Sequence, residues 1–478
     1  MQTRLQVLSG DEQGEVHERA LKILARTGVR VDTARGRQIL KEAGAQVDEN
    51  ARIVRFPKNL IEQTLGLVPK NFTLGARRPG WDLPLNIGEC NLLLDGEGTS
   101  VLDRKTGKHR PSTFHDWLEA TRLADALDDI GLYWRIIQAT DRGDTVGDYV
   151  DYLVTLLRNF SKHIQDPIYA KEQAPWFLEI LQTVFGPKDT IRQKHPVSYV
   201  LCPQSPLVID EIYTDAYLEL VGWNIPVAIM PMPLMGATAP ASLISTVILA
   251  NCEVLATLCL VQAAEPGVPI IYAPVSALMD PRSGMLKSDA IESGVLGAAT
   301  IEMGRYYGLP VETTGAGTGQ FVPNIQSGYE RALSALLSML SWPDILVGAG
   351  LLGSALILSL EQMLIDTEIF RMCRQAHRGI VSGVEKWLDE VIDRVGPGGH
   401  FLDHPSTVSA VRGNEWYINR LGVNTSLEEW EAAGRPDVLE EARQAVDQTL
   451  SAHRPIPLDA EIDRELDRIR KRAAESLL

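Results

Sequence analysis

Short, uniformly apolar runs return at near-regular intervals through the middle of this chain. They begin near Tyr133, Ile164, Val197, Pro226, Pro269, Pro310 and Ile345, with gaps of 31, 33, 29, 43, 41 and 35 residues. Each gap has room for a helix of about a dozen residues. Runs such as Val227-Ala228-Ile229-Met230 and Ile270-Ile271-Tyr272 lack the alternation of a half-exposed strand and suit a parallel sheet covered on both faces. Repeated β–α units of this length give either a doubly wound sheet or a (β/α)8 barrel. The pattern favours the barrel. Seven strands stand out, and the eighth has only a weak candidate in Gly379 to Ser382.

The flanks read differently. Ser9-Gly10-Asp11-Glu12 is a capping box opening a helix to about Thr27, and Thr113 with Asp116 opens another. Leu92 to Asp95 and Ser100 to Asp103, on either side of a Gly-Glu-Gly turn, read as a hairpin. The expected organisation is an α/β fold with a mixed α/β extension over residues 1–130, a TIM (β/α)8 barrel over 131–395, and a helical tail over 396–478. The tail begins at the break Gly396-Pro397-Gly398-Gly399 and is expected to pack on the barrel or a neighbouring subunit. The stretch Ile225 to Cys252 carries no charge over 28 residues. Pro226, Pro231, Pro233 and Pro240 interrupt it, so it reads as a buried strand, a loop and a buried helix, not as a membrane span.

Charge narrows the partners. Lys and Arg number 46 against 62 Asp and Glu, a net charge of −16, which disfavours nucleic acid and anionic membrane surfaces. Five scattered cysteines without a C-x-x-C pair point to a reducing cytosol, and no signal peptide is read at the N-terminus. A cytoplasmic protein is expected.

Catalytic motifs are few. There is no Walker loop, no G-x-S-x-G elbow and no H-E-x-x-H helix. His163, His195, His400 and His404 are too dispersed for a metal centre and read as structural. The Gly315 to Gly319 run is suited to holding an anion, or to close packing at a barrel mouth. Strand ends face the active site of a barrel. They supply aromatic, thioether and amide groups with few cations, a lining that suits a cationic or apolar ligand. The residues expected to bind substrate are Trp134, Tyr199, Tyr272, Glu312, Gln320 and Phe321, with Glu312 placed to pair with an ammonium. No catalytic nucleophile or base is identified.

The segments Leu5 to Val31, 54–79, 101–127, 398–412 and 427–443, with Gln326-Ser327-Gly328-Tyr329-Glu330, resemble in order the signatures of the trimethylamine methyltransferase superfamily. That resemblance implies a TIM barrel that moves a methyl group from a methylated amine to Co(I). The corrinoid (cobalamin) would be carried by a separate partner protein. With no pyrrolysine in the sequence, the chain resembles the glycine betaine and quaternary amine members. Where many members carry a polar His-containing segment, this chain has the apolar run Val347 to Leu356. Two alternatives follow from this: a non-catalytic barrel that binds a methylated ligand, or an enzyme for another methyl donor. A homo-oligomer is expected.

Overall fold

The computed structural model describes residues 2–166, 168–413 and 415–475. Eight parallel strands form its centre: β1 (Asn91–Leu94), β2 (Ile130–Tyr133), β3 (His163–Gln165), β4 (Val197–Leu201), β5 (Val227–Ile229), β6 (Ile270–Tyr272), β7 (Glu312–Thr314) and β8 (Ile345–Ala349). Hydrogen bonds link them in the order β6-β5-β4-β3-β2-β1-β8-β7. A parallel bridge between Tyr272 and Val311 joins the two ends, so the sheet closes into a barrel.

The seven spaced strands lie where the sequence places them. The remaining strand does not. Gly379 to Ser382 forms no strand, and β1 fills the gap between β8 and β2, with Leu346 opposite Leu92 and Leu92 opposite Ile130. The barrel therefore starts inside the segment expected to be an extension. The expected hairpin is absent: Ser100–Leu102 pairs antiparallel with His109–Pro111 and parallel with Ile357–Leu358. The reason lies in burial. Leu92, Leu93 and Leu94 are all buried, the mark of a strand covered on both faces, whereas a hairpin edge would alternate.

The N-terminal elements have a packing task. The helix Leu243–Ala264 is long and apolar enough by composition to cross a membrane, yet it lies mostly buried in the barrel's outer layer. The helices Gly10–Arg26, Ala34–Glu42 and Lys58–Leu67 pack over it, and Leu21, Leu24, Leu40, Leu60 and Ile61 join its core. At the other end of the chain, helices Val438–Ala452 and Ala460–Glu475 lie on the barrel, burying Val446, Leu466 and Ile469. Arg158 on the barrel side pairs with Asp463 at 2.6 Å and Asp467 at 2.9 Å.

Barrel closure has a polar lock. Asp344, fully buried before β8, accepts from Asn86 N at 2.5 Å and Val311 N at 2.8 Å and pairs with Arg305 at 2.9 Å. It thus joins the approaches to β1, β7 and β8. Replacing Asp344 by Ala leaves the buried Val311 N–H and the half-buried Asn86 N–H without this acceptor and removes the ion-pair partner of Arg305. Urea titration should show a loss of about 2–4 kcal/mol in unfolding free energy. A change below about 0.5 kcal/mol would reject this role.

Candidate active site

Pleat alternation decides which side chains reach the barrel mouth. Successive residues of a barrel strand point in turn to the interior and to the helical layer. Leu132, Trp134, Val200, Met230, Ala273 and Val347 face inward. Tyr133, Tyr199 and Tyr272 belong to the outer core. At the C-terminal ends of the strands, Trp134, Val200, Met230 and Val347 of this set help line a cavity of about 620 Å³.

The cavity wall combines three kinds of group. Trp134, Tyr169 and Tyr213 give aromatic faces, Met230 and Met232 give thioethers, and Asp95 and Glu97 give carboxylates. Among the described residues, no Lys, Arg or His side chain lines it. Burial pushes the Asp95 carboxyl up to about 6, partly offset by the Gly96 N–H that donates to it at 2.9 Å, so it is ionised at neutral pH. Glu97 accepts from the Tyr169 hydroxyl at 2.6 Å. Behind Tyr169, Asp166 is also raised by burial to about 6, against the opposing pull of Arg135. It accepts from the Tyr152 hydroxyl at 2.9 Å. The Arg135 guanidinium lies 3.6 Å from the Tyr152 ring centroid and 4.6 Å from that of Tyr169. Its charge is thereby held against aromatic faces and outside the cavity lining.

Gly96 lets Trp134 lie where it does. A Cβ there would stand 2.9–3.0 Å from the indole ring. Trp134 Nε1 and Ser288 Oγ, both from residues of the cavity wall, are buried without hydrogen-bond partners. A polar atom left so is costly unless a ligand completes it.

The expected residues separate by strand parity. Trp134 lines the cavity. Tyr199 and Tyr272 do not reach it. Their hydroxyls donate outward, Tyr199 to the Ile168 carbonyl at 3.1 Å and Tyr272 to Asn251 at 3.1 Å. Gln320 and Phe321 sit on the outer loop after β7. The Gln320 amide oxygen accepts from Asn324 at 2.9 Å, while the Phe321 ring packs over Gly353. Asp95, Glu97, Tyr169 and Tyr213 escaped the sequence reading, because their loops were not recognised as barrel-mouth loops. The Gly315–Gly319 loop holds no free anion cradle: Glu330 accepts from Thr318 Oγ1 at 2.6 Å and from Gly319 N at 3.3 Å.

The sequence profile of the trimethylamine methyltransferase family (MTTB) matches residues 1–476. The chain belongs to the trimethylamine methyltransferase family. It is 28% identical over 454 residues to the trimethylamine methyltransferase MttB of Desulfitobacterium hafniense, covering 95% of this chain and 91% of the relative. It is 29% identical over 462 residues to the glycine betaine methyltransferase of the same species, strain Y51, covering 96% and 95%. The monomethylamine methyltransferase MtmB of Methanosarcina barkeri aligns in structure over 92% of both chains with 12% identity and a TM-score of 0.48.

Beneath the cavity of this methyltransferase, a polar chain crosses the barrel interior. His163 Nδ1 contacts the Gly75 carbonyl at 2.9 Å and its Nε2 contacts Ser198 Oγ at 2.8 Å. Ser198 donates to Gln165 Oε1 at 3.1 Å, and the Gln165 amide donates to both oxygens of Glu312, at 2.9 and 2.8 Å. Burial lowers His163 to about 3, so it is neutral and cannot serve as a base near pH 7. Burial raises Glu312 from 4.5 to about 8, only partly offset by Gln165. Cys202 lines the cavity, but burial pushes its thiol up to about 12, so it stays a poor nucleophile.

Glu312 makes a signed prediction. The native state keeps a proton that the unfolded chain releases near 4.5, so the stability this carboxyl contributes is present below that pH and lost as pH rises toward about 8. Unfolding midpoints of Glu312→Gln measured from about pH 4 to about pH 9, a range spanning both values, should decline less steeply than those of the native chain. Parallel curves would contradict a protonated Glu312.

Proposed function

We propose that this methyltransferase moves a methyl group from a quaternary ammonium compound of the glycine betaine type to the Co(I) of a corrinoid held by a separate protein. The carrying observation is the cavity: two carboxylates, aromatic faces and thioethers, with no cation in its lining. Such walls attract a methylated ammonium through charge and cation–π interaction. The C–N bond breaks with its electron pair on nitrogen, leaving a neutral tertiary amine, so no general acid is required.

The methyl acceptor comes from outside the chain. Among the cavity-lining residues, the Cys202 thiol is held protonated. The reduced corrinoid supplies the electron pair that takes the methyl carbon as a new bond forms to cobalt. Met232 and Leu286, both well exposed at the cavity wall, give an apolar rim for a flat macrocycle. This chain's own work is to orient the N–CH3 bond toward that rim and to exclude water. Asp95 and Glu97 face the ammonium. The unpartnered Trp134 Nε1–H and Ser288 hydroxyl are donors for a substrate carboxylate, the task a Lys or Arg would otherwise take. Glu312, one layer deeper, adds negative charge only when ionised.

The test mixes the full chain with a reduced corrinoid protein and a panel of quaternary and tertiary methylamines, following loss of the Co(I) absorbance. Loss with at least one quaternary compound supports the proposal. Silence with every compound, in the presence of thermal stabilisation by one of them, would instead assign a binding protein without transfer. Gly96→Ala, which crowds the Trp134 ring, should raise the KM of the accepted substrate roughly tenfold, about 1.4 kcal/mol, with little change in unfolding midpoint. Tetramethylammonium binding should tighten as pH rises through about 6, where Asp95 ionises, and Asp95→Asn should flatten that dependence.

A further inference from the structure

The ring of strands divides the cavity into two unlike halves. The charged and aromatic groups of its lining all follow β1 to β4: Asp95 and Glu97 after β1, Trp134 after β2, Tyr169 after β3 and Tyr213 after β4. Among the described residues, the lining from β5 to β8 has no charged and no aromatic side chain. Leu234, Val275, Ala277, Val347 and Leu351 make that side aliphatic. In the closed barrel the two sets of strands form opposite arcs. An ammonium facing Asp95 and Glu97 therefore looks across at a wall of aliphatic carbon.

Size and polarity decide what the aliphatic half can hold. At about 620 Å³ the cavity falls within the range of about 300–1,000 Å³ that encloses a drug-sized ligand. Glycine betaine, a trimethylammonium with one carboxymethyl arm, leaves most of that space to water. Water against aliphatic walls is unfavourable, and here it would sit beside the reacting methyl group. The macrocycle of the acceptor does not take the space either. Its rim residues Met232 and Leu286 are 45% and 43% exposed, whereas Ala277, Val347 and Leu351 are buried, at 8%, 3% and 1%. Two hydroxyls of this arc are committed within the protein: Thr318 Oγ1 donates to Glu330 at 2.6 Å, and Thr238 Oγ1 accepts from Leu234 N at 2.8 Å. Ser288, whose buried hydroxyl has no partner, follows β6, four strands round the ring from Trp134 after β2. A donor that meets both has to cross the cavity.

We propose that the methyl donor is a quaternary ammonium compound whose fourth substituent is an apolar arm several carbons long. Its ammonium is held at Asp95 and Glu97, and its arm lies along Leu234, Ala277 and Leu351. This assignment rests on the methyl-transfer reading above and names a narrower donor within it. The test is calorimetry on the full chain at neutral pH, with tetramethylammonium and then ethyl-, butyl- and hexyltrimethylammonium. Affinity should rise about two- to fourfold for each methylene added. Hexyltrimethylammonium should bind about tenfold or more tightly than glycine betaine. Leu234→Gln, at a partly exposed position, and Ala277→Leu, which fills the aliphatic half, should each flatten the series while tetramethylammonium affinity stays near the native value. A flat series in the native chain, or glycine betaine as the tightest ligand, would overturn the arm and leave the ammonium site standing. So would a series that rises equally in both variants, because the arm would then lie elsewhere. Failure of tetramethylammonium to bind would overturn the ammonium reading itself, and the arm with it.

Discussion

Barrel closure at β1 is the constraint on which the rest of the molecule depends. Seven parallel strands leave two open edges, each a row of unpaired backbone donors and acceptors. The strand Asn91–Leu94 satisfies both at once, pairing with β8 on one side and β2 on the other. Asp344 then fixes the approaches by accepting from Asn86 and Val311 while paired with Arg305. Closure also places the loop after β1 at the mouth, and with it Asp95 and Glu97. The acidic wall of the cavity is a by-product of the strand that completes the sheet.

Within the closed barrel, polarity is layered. A neutral His163, Ser198, Gln165 and Glu312 form a hydrogen-bonded floor, and the aromatic, thioether and carboxylate walls stand above it. Burial raises Asp95 and Asp166 only to about 6, while Glu312 with only an amide partner rises to about 8. The site therefore grades from ionised carboxylates near the mouth to a protonated one in the floor. Such a gradient favours a cation at the top of the cavity without placing an uncompensated charge in the core.

Apolar cover is the second theme. The helix Leu243–Ala264 has membrane-like composition, and the three N-terminal helices give it a protein surface in place of lipid. The helices after residue 437 do the same for another side of the barrel. Between them, Val384, Trp387, Ile392, Leu402, Trp416 and Ile418 are left facing solvent.

How much was legible follows from what is local and what is not. The capping boxes at Ser9–Glu12 and Thr113–Asp116 form as read, because a cap needs only four residues. Strands β2 to β8 were visible as apolar runs spaced by helices, and the family signatures ran in order along the chain. Trp134, just past the end of β2, falls at the cavity wall as its position at a strand end suggested, whereas Glu312, the first residue of β7, lies one layer deeper. Tyr199 and Tyr272 were misplaced, since each sits one residue from an inward position, and a single step of the pleat turns a side chain from the cavity to the helical layer. β1 was hidden because Gly96-Glu97-Gly98 looks like a hairpin turn, while its true partners lie about 40 and 250 residues away. The sequence by itself determined the elements, their order and the family. Only the tertiary structure decided which strand closes the barrel, which face of each strand sees the cavity, and which apolar surface has no cover, because each of these depends on residues far apart in the chain meeting in space.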